Sequence, residues 1–166
     1  MLPSRLAVEL TEITMRRTVL KSKIHRAIVT ETNIHYEGSL SIDADLLDAA
    51  DILPFEQIHV WDVTNGSRLI TYAILGERGT GIIQVNGGGT HHIKKGDVVI
   101  IATFTDLKNR DAKKHKPRVI FVDRENRVKE ADDHDNDVDS TEDLPAAPPV
   151  EPVAKPRRTT KRKPSE

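Results

Sequence analysis

At 166 residues, with 37% hydrophobic and 31% charged side chains, the chain has the size of one domain but too little apolar content for all of it to pack. It contains no cysteine, which excludes disulfides, thiolate chemistry and Cys-based zinc sites. With 4% aromatics and a net charge of −1 it is poorly equipped to stack bases or to be drawn as a whole to nucleic acid or membrane.

In chain order, residues 1–14 read as an N-terminal extension. They carry two glutamates and no long apolar stretch, so they do not form a secretory signal, and Met15 offers an internal start. Lys23–Thr30 is β-branched and bounded by polar residues, the pattern of a strand. Asp43 caps a helix over Ala44–Ala50, with Leu46, Leu47 and Ala50 on its apolar stripe. Ile58–Val63 and Arg68–Leu75 flank Asn65-Gly66, a hairpin signal because both residues tolerate positive φ. Gly81–Val85 leads into Asn86-Gly87-Gly88-Gly89, a loop that lets backbone approach a ligand closely. Asp97–Phe104 reads as a strand buried on both faces, and Arg118–Val122 as another. No apolar run is long enough to cross a membrane, so a cytoplasmic protein is expected. Short strands and tight turns within about 100 residues predict a mainly β fold, a small closed barrel with one or two short helices.

The end of the chain is different. Glu130–Asp143 holds eight acidic residues, six of the nine prolines follow from Leu144 onward, and Lys155–Glu166 is basic. Such a segment buries too little apolar area to offset its ordering entropy, so 126–166 is read as a disordered tail and 15–125 as the folded domain. The tail serves either as a solvated appendage or as a basic arm toward RNA, DNA or an acidic partner.

One dipeptide offers specific chemistry. In His35-Tyr36-Glu37-Gly38-Ser39 the serine hydroxyl can attack the carbonyl of Gly38 and turn the amide into an ester. Glycine before the serine permits the strained backbone this requires. β-Elimination then frees the upstream chain and leaves dehydroalanine, whose hydrolysis gives a pyruvoyl cap on the downstream chain. A pyruvoyl carbonyl condenses with an amine and accepts electrons. Gly-Ser by itself is far more often an ordinary turn.

Its surroundings give it weight. Arg17–Arg26 (RTVLKSKIHR), His35–Ser39, Leu47–Ala50, Trp61–Gly66 (WDVTNG), Thr71–Ile74, Gly76–Gly79, Val85–Gly87 and Gly96–Ile101 stand in order over Met15 to Phe104. In these blocks the chain resembles the aspartate 1-decarboxylases, pyruvoyl enzymes that make β-alanine for pantothenate synthesis. The resemblance implies a double-psi β-barrel, self-cleavage between Gly38 and Ser39, a pyruvoyl group derived from Ser39 with neither metal nor PLP, and a homotetramer of cleaved α and β chains. It also implies roles for particular residues. Lys23 and Arg68 would hold the carboxylates of L-aspartate, where an arginine fork binds bidentately. Tyr72 would protonate the carbanion left when CO2 departs. Thr71 would serve processing and substrate binding, Asn86, Gly87 and Gly88 would close over the site, and His25 and Tyr36 would flank it. Whether a maturation partner assists cleavage is left open.

Arg68 and Tyr72 share one face of a strand and Thr71 has the other, so strand twist or a second subunit must reconcile them. The Gly-Gly-Gly-Thr that follows Asn86 replaces the Gly-Ala-Ala-Ala commoner in that family, which predicts a looser pocket. Without the family context, Lys23 and Arg68 are strand-surface charges, Tyr72 a half-buried aromatic and Asn86-Gly87 a plain turn. His91-His92 does not form a metal pair, since adjacent strand residues point apart. The competing reading is a non-catalytic barrel that binds nucleic acid or serves as an adaptor. Against it stands the expectation that the folded part has no clustered basic face.

Overall fold

The computed structural model describes residues 15–129. Eight strands, two short α-helices and one 3-10 turn follow one another: β1 Arg16–Ile28, β2 Glu31–Asn33, β3 Leu40–Asp43, α1 Ala44–Ala50, β4 Gln57–Asp62, β5 Arg68–Gly76, β6 Ile83–Asn86, the 3-10 turn Gly87–His91, β7 Val98–Lys108, α2 Asn109–Ala112 and β8 Arg118–Phe121. The mainly β expectation holds. The strands form one sheet in the order β2-β6-β3-β5-β4-β7-β1-β8. Most neighbours are antiparallel, but β1 runs parallel to β8, β2 to β6 and β3 to β5. β1 and β2 are separated by two residues yet lie near opposite ends of that order. The sheet therefore curls until its ends meet. Backbone bonds Val29 N to Asp97 O and Thr30 N to Ile83 O, both 2.9 Å, close the junction.

Alternation along the strands fills the interior. Ile24, Leu40, Ile42, Ile58, Val60, Ala73, Ile83, Val85, Val99 and Ile101 are all buried, and Leu46 and Leu47 of α1 pack on the same core. Asp43 caps α1 by accepting from Asp45 N at 2.8 Å. Its carboxylate also accepts from Gly79 N at 3.1 Å and Gly81 N at 2.6 Å, tying the helix start to the β5–β6 loop. Burial works against that charge, but the backbone donors prevail and hold the Asp43 carboxyl below its ordinary range.

Several expectations need correction. β1 begins at Arg16 rather than Lys23, and β7 runs on to Lys108. The short strands β2 and β3 carry no alternation that a sequence pattern detects. Asn65-Gly66 does not form a two-residue hairpin. Arg68 pairs with Trp61, only Gly66 takes positive φ, and Asn65 Nδ2 instead donates to Asp62 at 2.8 Å and to His92 O at 2.9 Å.

Residues 126–129, read as the start of a tail, belong to the fold. Asn126 is 2% exposed. Its amide accepts from Ile28 N and donates to Ile28 O and Gly81 O, at 2.7–2.8 Å. Val128 bridges Val122, and Lys129 N donates to Phe121 O. The rest of the expected tail, 130–166, and the extension 1–14 lie outside the described residues. Lys108, Arg110, Lys113, Lys114, Lys116 and Arg118 are all exposed within eleven residues. Among the described residues no helix is long and apolar enough to cross a membrane.

Candidate active site

The link between β2 and β3 carries two consecutive residues in the positive-φ region. Gly38 has φ +95° and Ser39, which bears a Cβ, has φ +79°. A side-chain-bearing residue in that region costs on the order of 1–3 kcal/mol and persists only where its surroundings hold it. The holders are visible. Ser39 O accepts from Asn86 N at 3.0 Å, and Gly38 N donates to Tyr36 O at 2.7 Å. Gly87, itself at φ +55°, packs so closely that a Cβ there would lie 2.9 Å from Gly38 Cα. No other residue type fits position 87 without moving the Gly38-Ser39 bond. In this arrangement the buried Ser39 hydroxyl donates to the carbonyl oxygen of Gly38.

Ser39 opens onto a cavity of 380 Å³. Gly38, Ser39, Thr71, Asn86 and Gly88 line it, so barrel closure brings five of the expected residues to one place. Leu40, Val60, Leu69, Val85 and Ile93 supply an apolar wall, and no lining side chain among the described residues is Lys, Arg, Asp or Glu. Asn86 is 1% exposed, with Nδ2 on Ser41 Oγ at 3.1 Å and Oδ1 accepting from Gln84 Nε2 at 2.7 Å.

The glycine loop is less loose than its composition predicts. Gly87–His91 forms a 3-10 turn in which Thr90 Oγ1 donates to Gly87 O at 2.7 Å. The Lys94 ammonium caps the turn on Thr90 O. Neither residue stood out in the sequence, because their partners are backbone carbonyls rather than a motif.

The other expected residues lie elsewhere. Along β5, Arg68, Ile70 and Tyr72 are exposed while Leu69 and Thr71 turn inward, which is the parity read from the sequence. Arg68 lies over the Trp61 ring with its guanidinium carbon 5.3 Å from the ring centre. Trp61 was quoted only within a block, and this stacking gives it a role of its own. Tyr72 faces Phe55, with ring centres 6.5 Å apart. Lys23 and His25 are half-buried on β1, opposite Val119 and Phe121 of β8. Burial, then the charges of Lys23 and Arg26, lowers the proton affinity of His25. Its Nδ1 is buried with no hydrogen-bond partner among the described residues. Tyr36 is 47% exposed. Within one chain, therefore, the cations and the phenol do not line the cavity that holds Ser39.

The chain matches the aspartate decarboxylase family over residues 15–129. It is 54% identical over 120 residues to an aspartate 1-decarboxylase of Albidiferax ferrireducens, covering 72% of this chain and 89% of that protein. It is 53% identical over 116 residues to aspartate 1-decarboxylase 2 of a Polaromonas species, covering 70% and 92%. Among solved structures it is similar to the computationally designed protein msDPBB_sym2, at 17% identity and a TM-score of 0.32 over 51% of this chain and 96% of the other. Matched across the whole of its described fold and half identical to relatives that it covers nearly end to end, the chain belongs to the aspartate decarboxylase family.

Proposed function

We propose that this chain decarboxylates L-aspartate to β-alanine and CO2, using a pyruvoyl group that it makes from its own Ser39. The observation that carries this reading is the Ser39 hydroxyl bonded to the Gly38 carbonyl, within two consecutive positive-φ residues at a cavity wall. Attack of Ser39 Oγ on the Gly38 carbonyl carbon converts the amide into an ester and relieves that strain. Elimination across Cα–Cβ of residue 39 releases Gly38 as a carboxylate, and water then removes the nitrogen of residue 39 as ammonia. Thr71, on the same cavity, donates to the carbonyl oxygen while it carries negative charge.

In turnover, a carbonyl cap at residue 39 supplies the electron sink that amino-acid decarboxylation needs. The residues do the rest. Leu40, Val60, Leu69 and Ile93 keep water from the departing carboxylate. The Gly87–Gly88 backbone and Asn86 close over the reacting carbon. Arg68 and Lys23 neutralise the two carboxylates, and the Tyr72 hydroxyl gives a proton to the carbon that CO2 has left. Because no Lys or Arg among the described residues lines the cavity and Arg68 and Tyr72 face outward, we assign them to the cavity of a neighbouring copy. The reading takes that assembly to be a homotetramer of cleaved α and β chains. Exposed Leu53, Phe55, Ile70 and Leu75 on and beside β5 supply an apolar surface for such packing. Double-psi connectivity, cytoplasmic location and service to pantothenate and coenzyme A synthesis complete the proposal.

Intact mass of the purified protein tests it. A self-cleaving chain gives fragments of 38 and 128 residues. Ser39→Ala should remain one chain and make no β-alanine. A wild-type chain that stays whole, or a Ser39→Ala protein that still makes β-alanine, overturns the reading.

A further inference from the structure

Asn86 reaches the cavity with two polar side chains behind it. Gln84 and Asn86 lie two residues apart on β6, so they share one face of that strand. Ser41 of β3 is the antiparallel partner of Gln84. The three side chains form a run of bonds. Gln84 Nε2 donates to Asn86 Oδ1 at 2.7 Å, and Asn86 Nδ2 donates to Ser41 Oγ at 3.1 Å. Asn86 lines the cavity that holds Ser39, whereas Gln84 and Ser41 do not.

A carboxamide has two unlike ends: its oxygen only accepts, and its nitrogen donates two hydrogens. At Asn86 the oxygen is engaged by Gln84 and one nitrogen hydrogen goes to Ser41. The second nitrogen hydrogen has no partner among the described residues. Asn86 is 1% exposed, so bulk water does not satisfy it, and the cavity is the open space that this residue borders. The backbone of the same residue is anchored beside the cleavage bond, with Asn86 N donating to Ser39 O at 3.0 Å.

We propose that Gln84 is a positioning residue: by holding Asn86 Oδ1 it keeps the Asn86 amide nitrogen available to the Ser39 cavity as a hydrogen-bond donor. The inference rests on self-processing at Gly38-Ser39 and deepens it. As Ser39 Oγ bonds to the Gly38 carbonyl carbon, the carbonyl electron pair moves onto its oxygen. A donor on the cavity wall, beside Thr71, stabilises that oxyanion, whereas an amide oxygen in its place repels it. When the oxyanion collapses, the C–N bond breaks and the nitrogen of residue 39 takes the proton that Oγ gave up. A side chain at position 84 that keeps the packing but cannot donate leaves Asn86 Oδ1 without its partner and the amide free to turn end for end.

Self-cleavage of full-length chain made by cell-free synthesis, followed by intact mass against time, tests it. Gln84→Met and Gln84→Glu are each compared with wild type at the same pH, and thermal unfolding checks that each is folded. Gln84→Met keeps the length and neutrality but has no donor. Its rate should lie about 10- to 100-fold below wild type at every pH, short of the roughly 10²–10³ that deleting such a donor costs. Gln84→Glu donates from its carboxyl only while protonated. The neighbours of position 84 in register are Ser41 of β3 and Glu31 of β2, and the Glu31 charge keeps the introduced carboxyl protonated above the usual value of about 4.3. Relative to wild type, its rate should be nearly equal near pH ~4 and fall at least roughly tenfold by pH ~8. Packing alone lowers both variants with no such dependence on pH. A Gln84→Met chain that cleaves at the wild-type rate, or a Gln84→Glu ratio that stays flat with pH, overturns the positioning role alone. A wild-type chain that stays whole overturns the self-processing reading and this role together.

Discussion

Two side chains separate making the site from using it. Tyr72 stands on the outer face of β5, away from the Gly38 carbonyl of its own chain, and its assigned task begins only after CO2 leaves. Tyr72→Phe should therefore still self-cleave, while aspartate turnover drops by roughly 10²–10⁴-fold, the worth of a positioned general acid. Equal loss of cleavage and turnover would make Tyr72 structural. Thr90 has the opposite profile. Its hydroxyl holds Gly87 O, and Gly87 packs on Gly38. Thr90→Val keeps the shape but leaves that carbonyl without its donor, at about 1–3 kcal/mol. Self-cleavage, followed by mass against time, should slow by roughly tenfold, which corresponds to about 1.4 kcal/mol, and Thr90→Ser should restore it. Unchanged cleavage in Thr90→Val would remove this positioning role.

At the scale of elements, the β4–β5 loop shows how a turn signal was answered by different physics. Asp62, only 3% exposed, accepts from Thr64 N and Asn65 N at 2.8 and 3.1 Å and holds Asn65 in place of a tight hairpin. Burial, then hydrogen bonding and charge repulsion with Asp97, raises its proton affinity above the ordinary carboxylate value. A raised folded-state value means stability that is fully present below the unfolded value and lost as pH rises through the raised one. The contribution of Asp62 to stability should thus be lost as pH climbs above the ordinary carboxylate value of about 4. Asp97→Asn keeps an acceptor for Lys94 N and offers Asp62 an amide donor instead of a like charge. Thermal unfolding across that range should show a shallower decline in Asp97→Asn, and an unchanged slope would discount the pair. The α1 cap was legible because its signal is local: Asp43 lies one residue before the helix it starts. β2 and β3 were not, because three or four residues carry no period and owe their conformation to β6 and β5.

For the whole molecule, the boundary lies past Lys129. A chain ending after Lys129 should self-cleave and turn over aspartate nearly as the full protein does, since every proposed site residue lies upstream. A chain ending after Glu125 should not keep its stability. It loses the Asn126 amide that links Ile28 to Gly81 and leaves three backbone groups without that partner, the Gly81 carbonyl buried and the two of Ile28 half-buried, the buried one alone at roughly 1–3 kcal/mol. Comparing the two by thermal unfolding checks this, and equal melting temperatures would return the boundary to 125. That bond joins residues 98 positions apart, so nothing local distinguishes Asn126 from a loop asparagine.

By itself the sequence determined the mainly β class, the capped helix and the family, because each rests on residues read side by side: alternation, an Asx cap, ordered blocks around Gly38-Ser39. It also determined that Arg68 and Tyr72 oppose Thr71 on one strand, since the period of two requires it. Only the tertiary structure decided which of these residues meet. Curling the sheet through the β1–β2 junction carries Ser39, Thr71, Asn86 and Gly88 to one cavity and leaves Lys23, Arg68 and Tyr72 outside it. Pairing across the barrel joins residues far apart in the chain, and no short-range pattern encodes which side chains closure turns toward the same space.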